Sequence, residues 1–408
     1  MSHQLPFDEI YNNLFDVISH RRSHRQYPGT SFPLQLGYDP QPPKPAEPLS
    51  KAELALLCYA AAGYNGLIMN ELMAIPAVSY LQGRTISSGD NSQKSQIVFT
   101  NDDGVFLYKP RPTTKMVRIS CPEELQEVVN AFDNEVIQLE GTKRELEMGL
   151  MGGELEKPKG QTIFFPLIQP SDSLYKFAAI SVVEGLGYYF TDDDGNPIGD
   201  TSFIEKLNLT KKMPISEMGK QTHQWNVLEA GFITQNLLLA AESMGLAACP
   251  FAGFAEPVIL GGTPLTRGLR ARFTTDKNGA LNPVGIDGVC EAPVPPYIDV
   301  RDAVEASIRA RFAEGGAYNK NTPSALTPEN HVKFVEGTVQ YTEDMIQYMR
   351  GVMGWVYDQN GRLPASAPSL SVPIGIYIAH VDVEFYEKYY RPGAINERHI
   401  NHNALWHS

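Results

Sequence analysis

Cysteine is scarce in this chain, which excludes two ways of stabilising a protein. Its 408 residues include four cysteines, Cys58, Cys121, Cys249 and Cys290. They lie too far apart for a short-spaced metal motif, and they form no recognisable disulfide framework. Apolar residues surround or adjoin each one, so we interpret them as buried thiols.

Positive charge and long apolar runs are also lacking. The formal net charge of −13 argues against broad nucleic-acid binding. No apolar run is long enough to cross a bilayer, and the first residues do not resemble a signal peptide. We therefore expect a cytoplasmic protein without a membrane or nucleic-acid partner.

Two cofactor signatures are missing as well. No Gly-x-Gly-x-x-Gly motif follows a predicted strand, so the sequence offers no dedicated dinucleotide-binding fold. His399, His402 and His407 lie close together near the end of the chain, at a spacing compatible with metal binding. No cysteine or carboxylate framework completes a site around them, so we expect no bound metal.

A cluster of basic residues is the most informative feature that is present. Residues 21–25 read Arg-Arg-Ser-His-Arg and follow an apolar periodicity that predicts a helix over residues 7–22. The guanidinium fork matches a phosphate, and on a helix Arg21 and Arg25 share one face. The cluster is interpreted either as a phosphate grip or as a solvated basic surface.

Further motifs follow in order along the chain. Ser50 and Glu53 form a capping box at the start of an apolar helix, and residues 101–104, Asn-Asp-Asp-Gly, predict a hairpin. Residues 122–156 predict a long amphipathic helix or a helix pair. A polar turn over residues 83–93 leads into a strand, and the helix over 228–246 ends in Gly-Leu before Pro-Phe-Ala-Gly-Phe at 250–254.

In this order the motifs resemble the nitroreductase superfamily of FMN enzymes, nearest its SagB-like, azoline-dehydrogenase-type branch. The resemblance implies an α+β fold, in which helices wrap a central, mainly antiparallel sheet. It implies a core domain over residues 1–315, with insertions at 64–81 and 122–160. Residues 316–408 would be a C-terminal extension that packs on the core or on a partner subunit. The family also implies a homodimer with FMN sites at its interface.

The resemblance assigns roles to individual residues. Arg21, Arg22 and Ser23 would meet the phosphate and ribityl chain of FMN, and Arg25 the pyrimidine side of the ring. The backbone N–H of Ala252 or Gly253 would face the flavin N5, where glycine permits close approach. The remaining implied cofactor contacts are Ser88 and Asn91 in the polar turn, with Asn91 at the ring edge, and Arg301 at a late phosphate-binding position.

The implied function is an FMN-dependent two-electron oxidation or reduction of a small molecule or modified peptide, in a biosynthetic pathway. Two alternatives stay open: an NAD(P)H-dependent nitro or quinone reductase, and a non-catalytic flavin-binding subunit. Either NAD(P)H or oxygen would then be the partner in electron transfer. Azoline dehydrogenases carry a basic residue and a tyrosine before the long helix, and this Lys-Tyr pair is absent here. His223 is the candidate base in its place, or an ordinary histidine near a helix start.

Residues 330–408 contain too many aromatic residues for a disordered tail. We expect this segment to fold over the core or the partner subunit. It either shapes the substrate pocket or serves only as a packing strap.

Overall fold

The computed structural model describes residues 14–28, 44–69, 80–88, 95–110, 121–150, 159–182, 186–314, 316, 318–322, 327–337 and 341–407. Within these residues no helix combines the length and apolarity needed to cross a membrane.

The helices in the described residues are α1 (Leu14–His20), α2 (Lys51–Ala62), α3 (Leu125–Glu135), α4 (Lys143–Glu147), α5 (Pro170–Val182), α6 (Ser202–Lys206), α7 (Ile215–Met244), α8 (Glu256–Leu260), α9 (Val300–Phe312), α10 (Pro328–Glu336), α11 (Glu343–Asn360), α12 (Val383–Tyr389) and α13 (Glu397–Trp406).

The strands are β1 (Tyr64–Met69), β2 (Tyr80–Arg84), β3 (Gln96–Asn101), β4 (Gly104–Tyr108), β5 (Val136–Leu139), β6 (Thr162–Leu167), β7 (Tyr188–Thr191), β8 (Lys211–Pro214), β9 (Ala247–Phe251), β10 (Arg272–Thr275), β11 (Leu281–Ile286), β12 (Cys290–Glu291) and β13 (Gly375–Ala379).

A six-stranded sheet forms the centre of the structure. Its strand order is β5-β4-β3-β6-β13-β9, and every neighbouring pair is antiparallel. The smaller sheets are β1-β2, β10-β11-β12 and the parallel pair β7-β8. This confirms the expected α+β class with a large antiparallel sheet.

Side-chain alternation along the strands gives the sheet two buried faces. Ile97 and Phe99 of β3 point to a core shared with α2, α3 and the C-terminal half of α7. Val98, between them, points to the opposite core, which includes Leu146 of α4 and Ile259 of α8. Because both faces of the sheet are covered, the sequences of these strands are almost continuously apolar.

A third core consists mainly of helices. The first turns of α7 pack there with α5, α9 and α11, through residues such as Met218, Leu174, Val304 and Tyr348. The Tyr348 hydroxyl accepts a hydrogen bond of 2.8 Å from the backbone N–H of Phe190 in β7, which ties the small parallel sheet to this core.

The C-terminal segment contributes a strand to the central sheet. β13 lies between β6 and β9, with Ile376 opposite both Phe164 and Pro250. Ile376 and Ile378 are fully buried, and each such side chain stabilises a fold by about 1.5–3 kcal/mol relative to its exposed state. Residues 375–379 therefore belong to the framework of the sheet. The domain boundary near residue 315 stays a prediction.

Two local predictions are confirmed. The Ser50 side chain accepts from the N–H of Glu53, whose carboxylate accepts from the N–H of Ser50, so the capping box is present. The hairpin turn pairs Asn101 with Gly104. Both signals depend on groups only a few residues apart.

The helix pair predicted over residues 122–156 is confirmed in the described part of that range by α3 and α4, but the strand between the two helices was not predicted. Helix α3 ends at Glu135 and the chain continues directly into strand β5. Residues 136–139 pair with the free edge of β4, where their β-branched and apolar side chains fit the pleated surface.

Candidate functional site

The basic segment, residues 21–28, is irregular and not helical. Helix α1 ends at His20, so the expectation that Arg21 and Arg25 share a helix face is wrong. Arg22, Ser23 and Arg25 are exposed and Arg21 is partly buried, while His24, Gln26 and Tyr27 are buried. The segment therefore presents two guanidinium groups and one hydroxyl to solvent.

Contacts with the C-terminal part of the chain hold the basic segment in place. The Tyr386 hydroxyl accepts from the N–H of Arg25 at 2.9 Å and from that of Gln26 at 3.3 Å. The carbonyl of Gln26 accepts from the N–H of Asp382 at 3.1 Å. His24 Nε2 lies 2.8 Å from the carbonyl oxygen of Ala394. The C-terminal part of the chain thus holds the backbone of the segment, while the side chains of Arg22 and Arg25 are exposed. The Arg22 guanidinium donates to the carbonyls of Ser19 and Arg21 at 3.0 and 2.9 Å.

Aromatic residues connect the basic segment to strand β9. Tyr27 is buried in a cluster with Ala247 of β9 and Ala379 of β13. Burial raises the pKa of its phenol above the usual value, and the nearby Cys249 and Tyr377 side chains raise it further. Further along, the Phe251 ring stacks on Tyr377, with 4.2 Å between ring centroids.

Close packing fixes the position of the Phe251 ring. A Cβ atom on Gly375, its partner across the sheet, would lie 2.4 Å from the ring of Phe251. Only glycine at this position leaves room for the ring. Strand β9 has five residues, so about 15 Å separates the Tyr27 end from the Phe251 end.

A tight turn follows β9. Ala252 and Gly253 are both exposed, and the Ala252 carbonyl accepts from the N–H of Phe254 at 3.0 Å. Among the described residues, neither Ala252 nor Gly253 donates its N–H to another protein group. Two backbone donors at the end of β9 are therefore available to a ligand.

His223 lies on α7 and interacts electrostatically with Glu256 of α8, the helix that follows this turn. Burial lowers the pKa of His223 below its usual value, and the Glu256 carboxylate offsets part of that effect. Glu256 is itself anchored, since its carboxylate accepts from the N–H of Val372 at 2.7 Å. His223 is thus a largely neutral imidazole at pH 7, in the same region as the turn.

The other residues singled out in the sequence lie in different surroundings. Ser88 is partly buried at the end of a described segment, and Asn91 lies outside the described residues. Arg301, the second residue of α9, forms an ion pair of 2.5 Å with Asp358 of α11. The structure therefore groups Arg301 with the helical core and not with the basic segment.

Two sets of polar contacts, made by Glu229 and Arg84, were not predicted from the sequence. Glu229 of α7 is fully buried and accepts from the Ser95 hydroxyl at 2.8 Å. The guanidinium of Arg84 donates to the carbonyl of Ala62 at 2.9 and 2.6 Å, and to that of Ser95 at 3.5 Å. An acidic residue inside an apolar helix was the one available signal, because buried carboxylates need partners.

An apolar strip of α7 faces solvent. Val227, Leu228 and Phe232 are 39–54% exposed, and a Cβ atom on Gly231 would have nothing within 4 Å. An apolar helix face of this kind is typical of a surface covered by a partner.

A known protein family and two solved structures are similar to parts of this chain. The model of the nitroreductase family matches residues 212–265, which contain α7, β9, the turn after it and α8. No curated protein sequence gives a significant match.

Two solved structures are similar at low identity. One is a candidate nitroreductase from Ralstonia eutropha, with 14% identity, 61% of this chain and 74% of that chain covered, and a TM-score of 0.30. The other is a chain of the E. coli microcin synthetase McbBCD complex with truncated pro-MccB17 bound. It shows 11% identity, coverage of 64% and 91%, and a TM-score of 0.29. Scores this low add no argument about function. The family match over residues 212–265 confirms the resemblance of this chain to the nitroreductase superfamily.

Proposed function

We propose that the protein is an FMN-dependent oxidoreductase that transfers two electrons to or from a small molecule or a modified peptide. One observation carries the proposal. The outward-facing basic segment and the turn with free N–H donors lie toward opposite ends of β9, with Tyr27, Tyr377 and Phe251 between them. This arrangement suits an elongated ligand with an anionic group at one end and a polar ring at the other.

The residues present fit FMN by their chemistry. Arg21, Arg22 and Arg25 offer charge-assisted donors for a phosphate, and Ser23 offers a hydroxyl for the ribityl chain. The N–H groups of Ala252 and Gly253 offer donors for the ring. Bound FMN supplies reversible two-electron chemistry at its ring. Ser88 and Asn91 are proposed as further contacts from the polar turn. Arg301 is not included, because its guanidinium is paired with Asp358 in the helical core.

His223 is the proposed proton-transfer residue. A neutral imidazole accepts a proton from a substrate that is being oxidised, and its lowered pKa keeps it in that form at neutral pH. Such a base would serve the dehydrogenase direction; an NAD(P)H-dependent nitro or quinone reductase is the alternative.

We also propose that the protein is a homodimer. The support is the exposed apolar strip of α7, because obligate interfaces are large and apolar. The alternative function, a non-catalytic flavin-binding subunit, fits the same features.

The experiment that tests the function begins with the purified full-length protein. Denaturation should release FMN, identified by chromatography and absorbance. Anaerobic mixing with NADPH should leave the flavin oxidised, whereas photoreduced flavin should reoxidise quickly in air. Rapid reduction by NAD(P)H would instead establish the reductase. Protein that contains no flavin and cannot be reconstituted with FMN would refute the proposal.

A further inference from the structure

Three histidines from the last 30 residues converge in the interior with one glutamate from the opposite end of the chain. Glu53 lies in the first turn of α2, His380 directly follows β13, His402 lies in α13, and His407 follows α13. Glu53, His380 and His402 are at most 3% exposed, and the His407 side chain is 30% exposed. The ligating atoms of the four residues lie within 4.8 Å of one another.

Hydrogen bonds determine which ring nitrogen carries the proton in two of the histidines. His402 Nδ1 lies 2.6 Å from the carbonyl oxygen of Met244, and His380 Nδ1 lies 2.8 Å from that of Glu47. A carbonyl oxygen only accepts, so each Nδ1 must be the donor. In the neutral ring, each Nε2 then presents a lone pair.

Both lone pairs point at the same carboxylate. His402 Nε2 lies 2.7 Å and His380 Nε2 3.3 Å from Glu53 Oε1. Despite this short distance, His402 Nε2 has no hydrogen-bond partner among the described residues. Electron pairs that face each other in a buried site repel, unless a cation lies between them or the imidazoles carry a second proton.

The distances match a small coordination sphere. Zinc binds histidine nitrogen and carboxylate oxygen at about 2.0–2.2 Å, which puts tetrahedral ligand atoms about 3.3–3.5 Å apart. Glu53 lies 3.3 Å from His380 Nε2 and 3.4 Å from His407 Nε2. The separation from His402 Nε2, 2.7 Å, needs to widen by less than 1 Å.

The surroundings have the pattern of a supported metal centre. Metal-binding histidines usually donate their second ring nitrogen to a carbonyl or carboxylate, which fixes the ring orientation. His380 and His402 both do so here. Glu53 is held by the capping box, in which its other oxygen accepts the N–H of Ser50. The partly exposed His407 leaves an entry path for an ion.

We propose that Glu53, His380, His402 and His407 bind one zinc ion or a divalent transition-metal ion of similar preference. Four protein ligands leave no open position, so the site is structural. It links α2, the end of β13 and the C-terminal helix α13. The histidine spacing alone predicts no metal, because the carboxylate that completes the site is distant in the chain. Glu53 comes from the opposite end, 327 residues before His380.

The test uses full-length protein prepared without a histidine tag and treated with a chelator. Zinc is titrated in and counted by elemental analysis after gel filtration. The wild type should hold one zinc per chain. His402→Gln and His407→Gln should lose this stoichiometric binding, with affinity reduced by more than about 100-fold, since loss of an outer-shell partner alone costs about 10–100-fold.

His20→Gln is the matched control, because His20 is exposed on α1 and its polar interactions among the described residues are with Asp16. It should bind zinc like the wild type. His407→Gln keeps the test valid if His402→Gln fails to fold, since His407 lies at the chain end. Cobalt should give the intense visible absorption of a tetrahedral site in the wild type and not in His407→Gln.

Two results would overturn the proposal. One is a folded wild-type protein that takes up no zinc, which would mean that protonated imidazoles neutralise Glu53. The other is equal zinc binding by the wild type and both ligand variants, which would assign the metal to surface groups. Neither result depends on flavin, so the proposed function is tested separately.

Discussion

Docking of helix α13 depends on a single glycine. Gly245 caps the C-terminal end of α7 with φ of +80°, and a Cβ atom there would lie 2.2 Å from the carbonyl oxygen of Arg398 in α13. Gly245→Ala therefore introduces backbone strain and a clash with another backbone. Because neither backbone is the flexible end of a side chain, the helices must separate.

The expected loss of stability is the sum of a contribution from backbone strain and a contribution from the steric clash. A non-glycine residue in the left-handed region costs about 1–2 kcal/mol. Overpacking costs a further 1–3 kcal/mol, typically. The second term should appear mainly as undocking of α13, which carries the buried Trp406 and the contact of His402 with Met244.

Gly279→Ala is the matched control. Gly279 has φ of +81°, but a Cβ atom there would have nothing within 4 Å. The Gly279→Ala variant should lose stability through backbone strain alone. The difference in stability between the two variants then gives the cost of the steric clash at Gly245.

Hydrogen exchange of the amides in α13 is the suitable assay, because it reports local opening free energies. Gly245→Ala should accelerate exchange there by about 5–150-fold relative to wild type, which corresponds to 1–3 kcal/mol. Gly279→Ala should leave α13 unchanged. Equal exchange in the two variants would refute the reasoning, since the clash would then have been absorbed without undocking.

Other predictions concern the proposed flavin site. Arg21→Ala and Arg22→Ala should each weaken FMN binding by about 1.5–3 kcal/mol in titrations of apoprotein, with the thermal midpoint preserved; unchanged affinity in both would make the cluster a solvated surface. Because the pKa of His223 lies below its usual value of 6.5, turnover should be constant above neutrality and fall as the pH drops and the base becomes protonated, and a His223→Gln variant that keeps the same profile would exclude this role. Phe232→Glu should convert a dimer into a monomer in light scattering, whereas a wild type that is already monomeric with FMN bound would contradict the interface. Deletion of residues 385–408 removes Tyr386 and Ala394, which hold the basic segment, so it should release FMN; retained FMN and unchanged turnover would leave this segment as a packing strap.

Some features of the site could be predicted from the sequence, because they depend on the residue types themselves. The arginine fork, the glycine after β9 and the long helix before it are recognisable wherever they occur. The positions of these features relative to one another could not be predicted from the sequence. Helix α1 ends at His20, so the predicted helical face is an irregular segment, and its orientation comes from Tyr386 and Ala394, hundreds of residues later.

Residues close together in the chain by themselves determined the local structures. The capping box of Ser50 and Glu53, the hairpin at Asn101–Gly104 and the end of α7 at Gly245 each involve groups within a few residues, so no distant contact can easily override them. Tertiary structure alone decided the rest. Strand β13 enters the sheet because β6 and β9 leave a gap of one strand between them, and β5 forms because β4 offers an unpaired edge. The convergence of Glu53 with His380, His402 and His407 is of the same kind: the insertion of β13 and the docking of α13 on α7 bring together ligands that no spacing in the sequence connects.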